Sequence, residues 1–160
     1  MKTLVTRTIN VTKEELVAAG KYDEVKKVWR KDLMSYYRLP DTIQLGEDPQ
    51  LFHIDRDPGE DGRTRVWHEE VVKGMREQGC RPATIWELLD YGAKHPETQL
   101  EFPIVALGTV TNWFCNAEAP VLGSETAEDK TKKRTLGIAA FGQGLGGFHP
   151  SCRFLMFRDE

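Results

Sequence analysis

Four residues in the first half of the chain, His53, Asp55, His68 and Glu69, are of the types that hold divalent metal ions or exchange protons. Imidazole and carboxylate are the usual partners in both chemistries, so they define one candidate, a metal-dependent enzyme working from the loop over residues 53–70. Their spacing does not support it, because His68-Glu69-Glu70 lacks the second histidine that a helical H-E-x-x-H site places one turn on. Asp57, Gly59, Asp61 and Gly62 take the first, third, fifth and sixth places of a calcium loop, with Asp55 and Glu60 close by. The third place carries no oxygen side chain and the twelfth is His68, so the bidentate clamp is missing. What remains of a metal expectation is an irregular calcium site drawn from Asp55, Asp57, Asp61 and His68. The simpler reading is a solvated Asp-Pro-Gly turn with no cofactor.

Gly142-Gln143-Gly144-Leu145-Gly146-Gly147 formally matches the G-x-G-x-x-G dinucleotide fingerprint. That fingerprint works only where its glycines open a helix whose N-terminus holds the pyrophosphate. Phe148-His149-Pro150 follows instead, which reads as a loop between strands. Ser124 and Ser151 lack a nucleophile elbow, and Cys115 and Cys152 lack a histidine at a diagnostic distance, so nucleophilic catalysis has no positive signal. Asn112, Trp113, Phe114 and Asn116 mix aromatic and amide groups as adaptable recognition surfaces do. With Gln143, Phe148 and His149 they form the expected ligand-binding surface, on loops 111–120 and 142–149.

The elements that must position these groups follow from pattern. Residues 3–11 are rich in β-branched side chains and predict a first strand. Thr12 and Glu15 have capping-box spacing and start a helix that Gly20 ends. Val25, Val28, Trp29, Leu33 and Tyr36 fall at steps of three and four and predict a second helix, stopping before Pro40. Residues 41–62 read as a long loop with one short strand at 51–54. Helices are expected over 66–78, with Val71, Val72 and Met75 inward, and over 84–94, where Thr84 and Glu87 form a second capping box. The apolar run 102–110 predicts a central strand buried on both faces. Segments 112–115, 119–122 and 135–141 add strands, and 152–158 is expected to pair antiparallel with 135–141 across the glycine-rich turn. This order predicts a single α+β domain, its helices segregated from a mainly antiparallel sheet.

Composition narrows the function classes. The 160 residues are 39% hydrophobic and 29% charged, with a net charge of −3, which gives no basic face for nucleic acid. Lys130, Lys132, Lys133 and Arg134 follow Glu125, Glu128 and Asp129 and read as a solvated loop. No apolar run approaches the length of a membrane span, and the N-terminal residues lack a secretory signal, so a cytoplasmic location is expected. Cys80, Cys115 and Cys152 are too few and too far apart for a disulfide scaffold or zinc site, and read as reduced buried thiols.

Arg81-Pro82-Ala83-Thr84, leading into residues 85–93, resembles the R-L-P-T-E-x-E-W-E-Y-A-A helix of the formylglycine-generating-enzyme branch of C-type-lectin-like folds. Residues 152–158 look like that branch's closing G-F-R-x-x-R strand. The resemblance covers about half the chain and implies a last strand that returns to the first. Relatives of that fold include sulfatase-modifying oxidases, carbohydrate-binding lectins and the variable proteins of diversity-generating retroelements. The oxidases' cysteine pair, the lectins' Glu-Pro-Asn or Gln-Pro-Asp motif and the retroelement proteins' Asn-rich tract are all missing here. Residues 83–108 are also similar to bacterial and phage-type proteins from which no activity carries over.

The leading expectation is therefore a non-enzymatic, C-type-lectin-like binding module that presents loop residues to a protein or carbohydrate ligand. Its rivals are the metal-dependent enzyme and a phage or mobile-element accessory protein that binds a host protein.

Overall fold

The computed structural model describes residues 5–8, 12–28, 31–32, 37, 42–113, 116–141 and 147–159. Strand β1 (Val5–Thr8) pairs antiparallel with β5 (Thr42–Leu45), outside the main sheet. Helix α1 (Lys13–Ala19) starts where the Thr12 hydroxyl accepts from the N–H of Glu15 at 3.2 Å, and Gly20 caps its end. A side chain at Gly20 would run into the ring of Tyr22.

The expected second helix is overturned. The described residues there form three short strands, β2 (Glu24–Val25), β3 (Lys27–Val28) and β4 (Lys31–Asp32). Trp29, Leu33 and Tyr36 lie outside the described residues. The reason lies in tertiary pairing, because Asp23 and Lys26 donate their N–H groups to the carbonyls of Arg134 and Leu136 and draw β2 onto a sheet edge. Short β-branched runs are ambiguous between the two periods, and an open strand edge decides.

Within the loop expected at 41–62 lie both β5 and β6 (Gln50–Phe52). Helix α2 (His68–Glu77) buries Val71 and Met75, and the chain leaves it through Gly79 at φ +71, a conformation that favours glycine. The carboxylate of Glu70 accepts from the N–H of Trp67 at 2.7 Å and holds Arg56 at 2.6 and 2.9 Å. That pair keeps the Glu70 carboxyl below its ordinary value. After β7 (Cys80–Pro82), helix α3 (Ile85–Lys94) has the expected capping box at Thr84 and Glu87.

The sheet continues with β8 (Ile104–Val105), β9 (Thr111–Trp113), β10 (Asn116–Thr126), β11 (Lys132–Ala140) and β12 (Arg153–Arg158). Its eight strands follow the order β2-β11-β10-β8-β12-β6, with β9 also on β10 and β7 also on β12. The central strand expected over 102–110 is paired only at Ile104 and Val105, both fully buried, between antiparallel β10 and parallel β12. This insertion overturns the expected hairpin of 135–141 with 152–158. Strand β11 is antiparallel to β10, β10 to β8, and β8 parallel to β12, so β11 and β12 run the same way with two strands between them. The expected return of the last strand to the first is also corrected, since β12 pairs with β6, β7 and β8.

Alternate residues of the sheet point to two cores. Ile104, Leu122, Leu136, Leu155 and Phe157 pack with Leu88 and Leu89 of α3, and Leu16 and Val17 of α1 join them. Val105, Ala119, Phe154 and Met156 pack with Val71 and Met75 of α2 on the other face. The helices thus cover both faces and are not segregated to one. Each fully buried leucine contributes about 1.5–3 kcal/mol. Among the described residues, no helix is long and apolar enough to cross a membrane.

Cys80 and Cys152 are free and buried. Burial pushes the Cys152 thiol up from 9.0 to about 11, and burial pushes the Tyr22 phenol up from 10.0 to about 12 against the opposing pull of Arg134. Both groups are neutral when protonated and have raised folded values, so their contributions to stability are complete below the unfolded values and are lost as pH rises through the folded ones. Stability therefore declines between about pH 9 and 12. Urea melts at a series of alkaline pH values check this, and Cys152→Ala flattens the lower part of the slope. A flat profile from pH 8 to 11 would show the thiol to be solvated.

Candidate ligand-binding groove

A cavity of about 360 Å³ opens between the β5–β6 turn and α3. The turn contributes Leu45, Gly46, Glu47, Asp48 and Pro49; α3 contributes Glu87, Asp90, Tyr91, Lys94 and His95; and Phe157 of β12 completes the lining. Glu87 ties the turn to the start of α3 and to β7. Its Oε2 accepts the N–H of Gly46 at 2.6 Å, its Oε1 accepts the N–H of Thr84 at 3.1 Å, and Arg81 grips both oxygens at 2.7 and 3.0 Å. Glu87 is 1% exposed, and the bidentate guanidinium and two backbone donors satisfy its carboxylate oxygens. Glu87 in turn raises the pKa of Arg81, chiefly through this hydrogen bonding.

Packing fixes the rest of the turn. A side chain at Gly46 would enter the Phe157 ring, whose face lies 5.4 Å from the Arg81 guanidinium. Asp48 takes φ +56, in the left-handed region where aspartate is tolerated better than most residues. On α3, Lys94 bonds Asp90 at 2.9 Å and the rings of Tyr91 and His95 lie 4.7 Å apart. The walls carry the carboxylates of Glu47, Asp48 and Asp90 against the ammonium of Lys94, and Arg81 balances Glu87. Such a mixture of aromatic surface and fixed charge can hold and orient a ligand.

The residues expected from sequence to bind ligand lie elsewhere. Asn112 and Trp113 stand on β9, opposite Ala117 and Asn116 of β10. Phe114 and Gln143 lie outside the described residues, as do positions 142–146 of the glycine-rich stretch. Phe148 is corrected from surface to core: it is 3% exposed, stacks on Phe141 at 4.9 Å and meets Phe154 edge-on at 5.2 Å. An apolar ring between two sheet aromatics gains more from burial than from exposure. His149 is exposed, and its Nδ1 lies 2.7 Å from the Ser151 hydroxyl and accepts the Ser151 N–H at 3.1 Å, which closes a turn.

The metal candidates are also placed apart. His53 contacts the Pro150 carbonyl at 3.1 Å, and His68 lies 5.1 Å from the Phe141 ring. Asp57 and Asp61 each accept a backbone N–H two residues on, from Gly59 and Arg63, in exposed turns; Asp55 is exposed. Among the described residues, no three His, Cys, Asp or Glu side chains are arranged to hold an ion.

Sequence reasoning treated Glu87 as a helix cap alone and missed the groove. The available signal was the pairing of Asp90 with Lys94 and Tyr91 with His95 one turn apart along α3. It also passed over Trp67, the exposed large hydrophobic among the described residues at 49%, which stands beside Gly147. Comparison with known proteins finds no matching family model, curated protein or solved structure.

Proposed function

We propose that the chain is a non-enzymatic binding module whose ligand site is the groove between the β5–β6 turn and α3. One observation carries this reading: a buried carboxylate, Glu87, is spent on holding a turn, a helix and a strand around an open concavity. Every hydrogen bond of Glu87 serves position, and the groups facing the concavity are those suited to recognition. Rigid walls lower the ordering cost of binding. A C-type-lectin-like kinship rests on the α3 cap and the closing strand alone, because β12 does not pair with β1. The binding reading stands on the groove without it. A second candidate surface lies at the exposed Trp67 beside Gly147, with the exposed His149 two residues on.

The test is an amide-shift titration of the labelled chain against a panel of short peptides, oligosaccharides and nucleotides. At least one class is expected to shift residues 45–49 and 90–95 saturably. Tyr91→Ala should weaken that binding about tenfold, as loss of an aromatic contact of 1–2 kcal/mol does, measured well below the variant's own melting temperature because Tyr91 also packs on the α3 core. Saturable shifts confined to Trp67, Gly147 and His149 would move the site to the other surface. Chemical turnover of a panel component would replace the binding reading with an enzymatic one.

A further inference from the structure

We infer that the ligand of the groove is an extended polypeptide segment that adds to the sheet as a strand along β6; this rests on the groove being the binding site. β6 is the outer strand of the eight-stranded sheet, and which of its backbone groups face outward follows from β12. The N–H of Arg153 donates to the Pro103 carbonyl at 2.8 Å, and the Leu155 carbonyl accepts the N–H of Ala83 at 3.0 Å, so these two residues turn toward β8 and β7. Phe154 and Met156 therefore turn toward β6, where they stand opposite Phe52 and Gln50. Opposite residues of an antiparallel pair that face each other exchange their bonds, so Phe52 and Gln50 turn inward. Leu51 between them, and His53 by the same alternation, present N–H and C=O to the far side. Among the described residues neither has a backbone partner there.

A free row of backbone donors and acceptors matches one chemistry, the backbone of a second extended chain. Sugars and small anions offer no such ladder. The row leads into the groove, because Pro49, which precedes β6 directly, lines it. A segment running along β6 from His53 to Pro49 thus delivers its next residues to the space between the β5–β6 turn and α3. Its side chains fall on the two faces of the sheet in turn. Those beside Leu51 share the face of the α3 core, and those beside Phe52 share the face of α2, where the Phe52 ring lies against Gly74. A second copy of this chain fits the edge less well. β6 spans three residues and Pro49 has no N–H to give, so two copies paired edge to edge would share few bonds. A free segment instead continues past Pro49.

The experiment titrates the labelled full chain with acetyl-Lys-Thr-Val-Thr-Val-Thr-Lys-amide and with the same peptide N-methylated throughout its Thr-Val-Thr-Val-Thr core. Methylation keeps the side chains and removes the donors. With the parent peptide at about ten times its Kd, hydrogen exchange at the Leu51 amide should slow about tenfold, and the amides of Gly46, Glu47 and Tyr91 should shift saturably. The methylated peptide should do neither. His53→Pro removes one outward N–H and leaves the bonds to β12, so it should weaken binding about fivefold, the scale of one hydrogen bond, where His53→Ala does not. Equal groove shifts from both peptides, with exchange at Leu51 unchanged, would overturn strand addition and leave the groove as a site. Slowed exchange at Leu51 without shifts at Gly46, Glu47 and Tyr91 would support the strand and overturn the groove. Exchange at Leu51 that slows with the concentration of the chain itself, with no peptide present, would give the edge to a second copy and overturn the peptide partner. No change at Leu51 or in the groove at millimolar peptide would overturn the strand partner as well, and the panel titration then decides the groove separately.

Discussion

Glu87→Ala should lower the unfolding free energy by about 3–5 kcal/mol, the cost of removing one member of a buried ion pair. The substitution strands the guanidinium of Arg81, whose side chain is only 26% exposed, and removes the acceptor for the backbone N–H groups of Gly46 and Thr84. It also undoes half of the α3 capping box. Glu87→Gln keeps an oxygen for one backbone donor and loses the charge, so it should cost less, about 1–3 kcal/mol. Urea denaturation with a shared m-value reads both. A loss below about 1 kcal/mol for the alanine variant would mean that the turn, the helix and β7 are held together by packing alone.

Arg134→Ala should cost about 3 kcal/mol or more, because charged hydrogen bonds contribute about 1.5–3 kcal/mol each and several are lost together. The Arg134 guanidinium donates to the carbonyls of Gly20 and Lys21 at the end of α1, to that of Gly92 in the last turn of α3 at 2.9 Å, and to the buried Gln99 side chain at 2.9 Å. It also lies 4.9 Å over the Tyr22 ring. Two helix C-termini, each with negative partial charge, thus share one cation. Gln99 passes the connection on, donating to the carbonyls of Gly123 and Thr135 at 2.8 and 3.0 Å. Arg134→Lys keeps the charge but cannot span the same acceptors from a single point, so it should recover less than half of the loss. Full rescue by lysine would show that charge alone matters there.

The caps at Thr12 and Thr84 were legible in the sequence because hydroxyl and carboxylate at fixed spacing report local geometry directly. The strand content of the second half was legible for a similar reason, since β-branched and alternating runs depend on little beyond their neighbours. Residues 25–36 were not, because their apolar spacing fits a helix and only the open edge of β11 draws Glu24 and Val25 into a strand. The partner of β12 was hidden in the same way. Nearness in sequence favoured a hairpin with β11, while the slot between β8 and β6 is made by segments at 104–105 and 50–52.

Arg134 was misread with its lysine neighbours, since a run of like charges does not say which member turns inward. Stepping by two from Leu136, which faces α3, places Arg134 on that same face. The groove could not be read at all, for it is assembled from residues 45–49, 87–95 and 157, and no local pattern links those stretches.

The placement of β12 has a consequence for how the protein is made. This strand follows every other in the chain, yet it lies inside the sheet and contributes Phe154 to one core and Leu155 to the other. Until residues 153–158 leave the ribosome, β6, β7 and β8 have no common neighbour, and the apolar flanks they will share remain wet. Nascent chains arrested short of β12 should therefore be sticky and protease-sensitive, and in the finished protein the slow event should be the late insertion of one strand into a waiting gap.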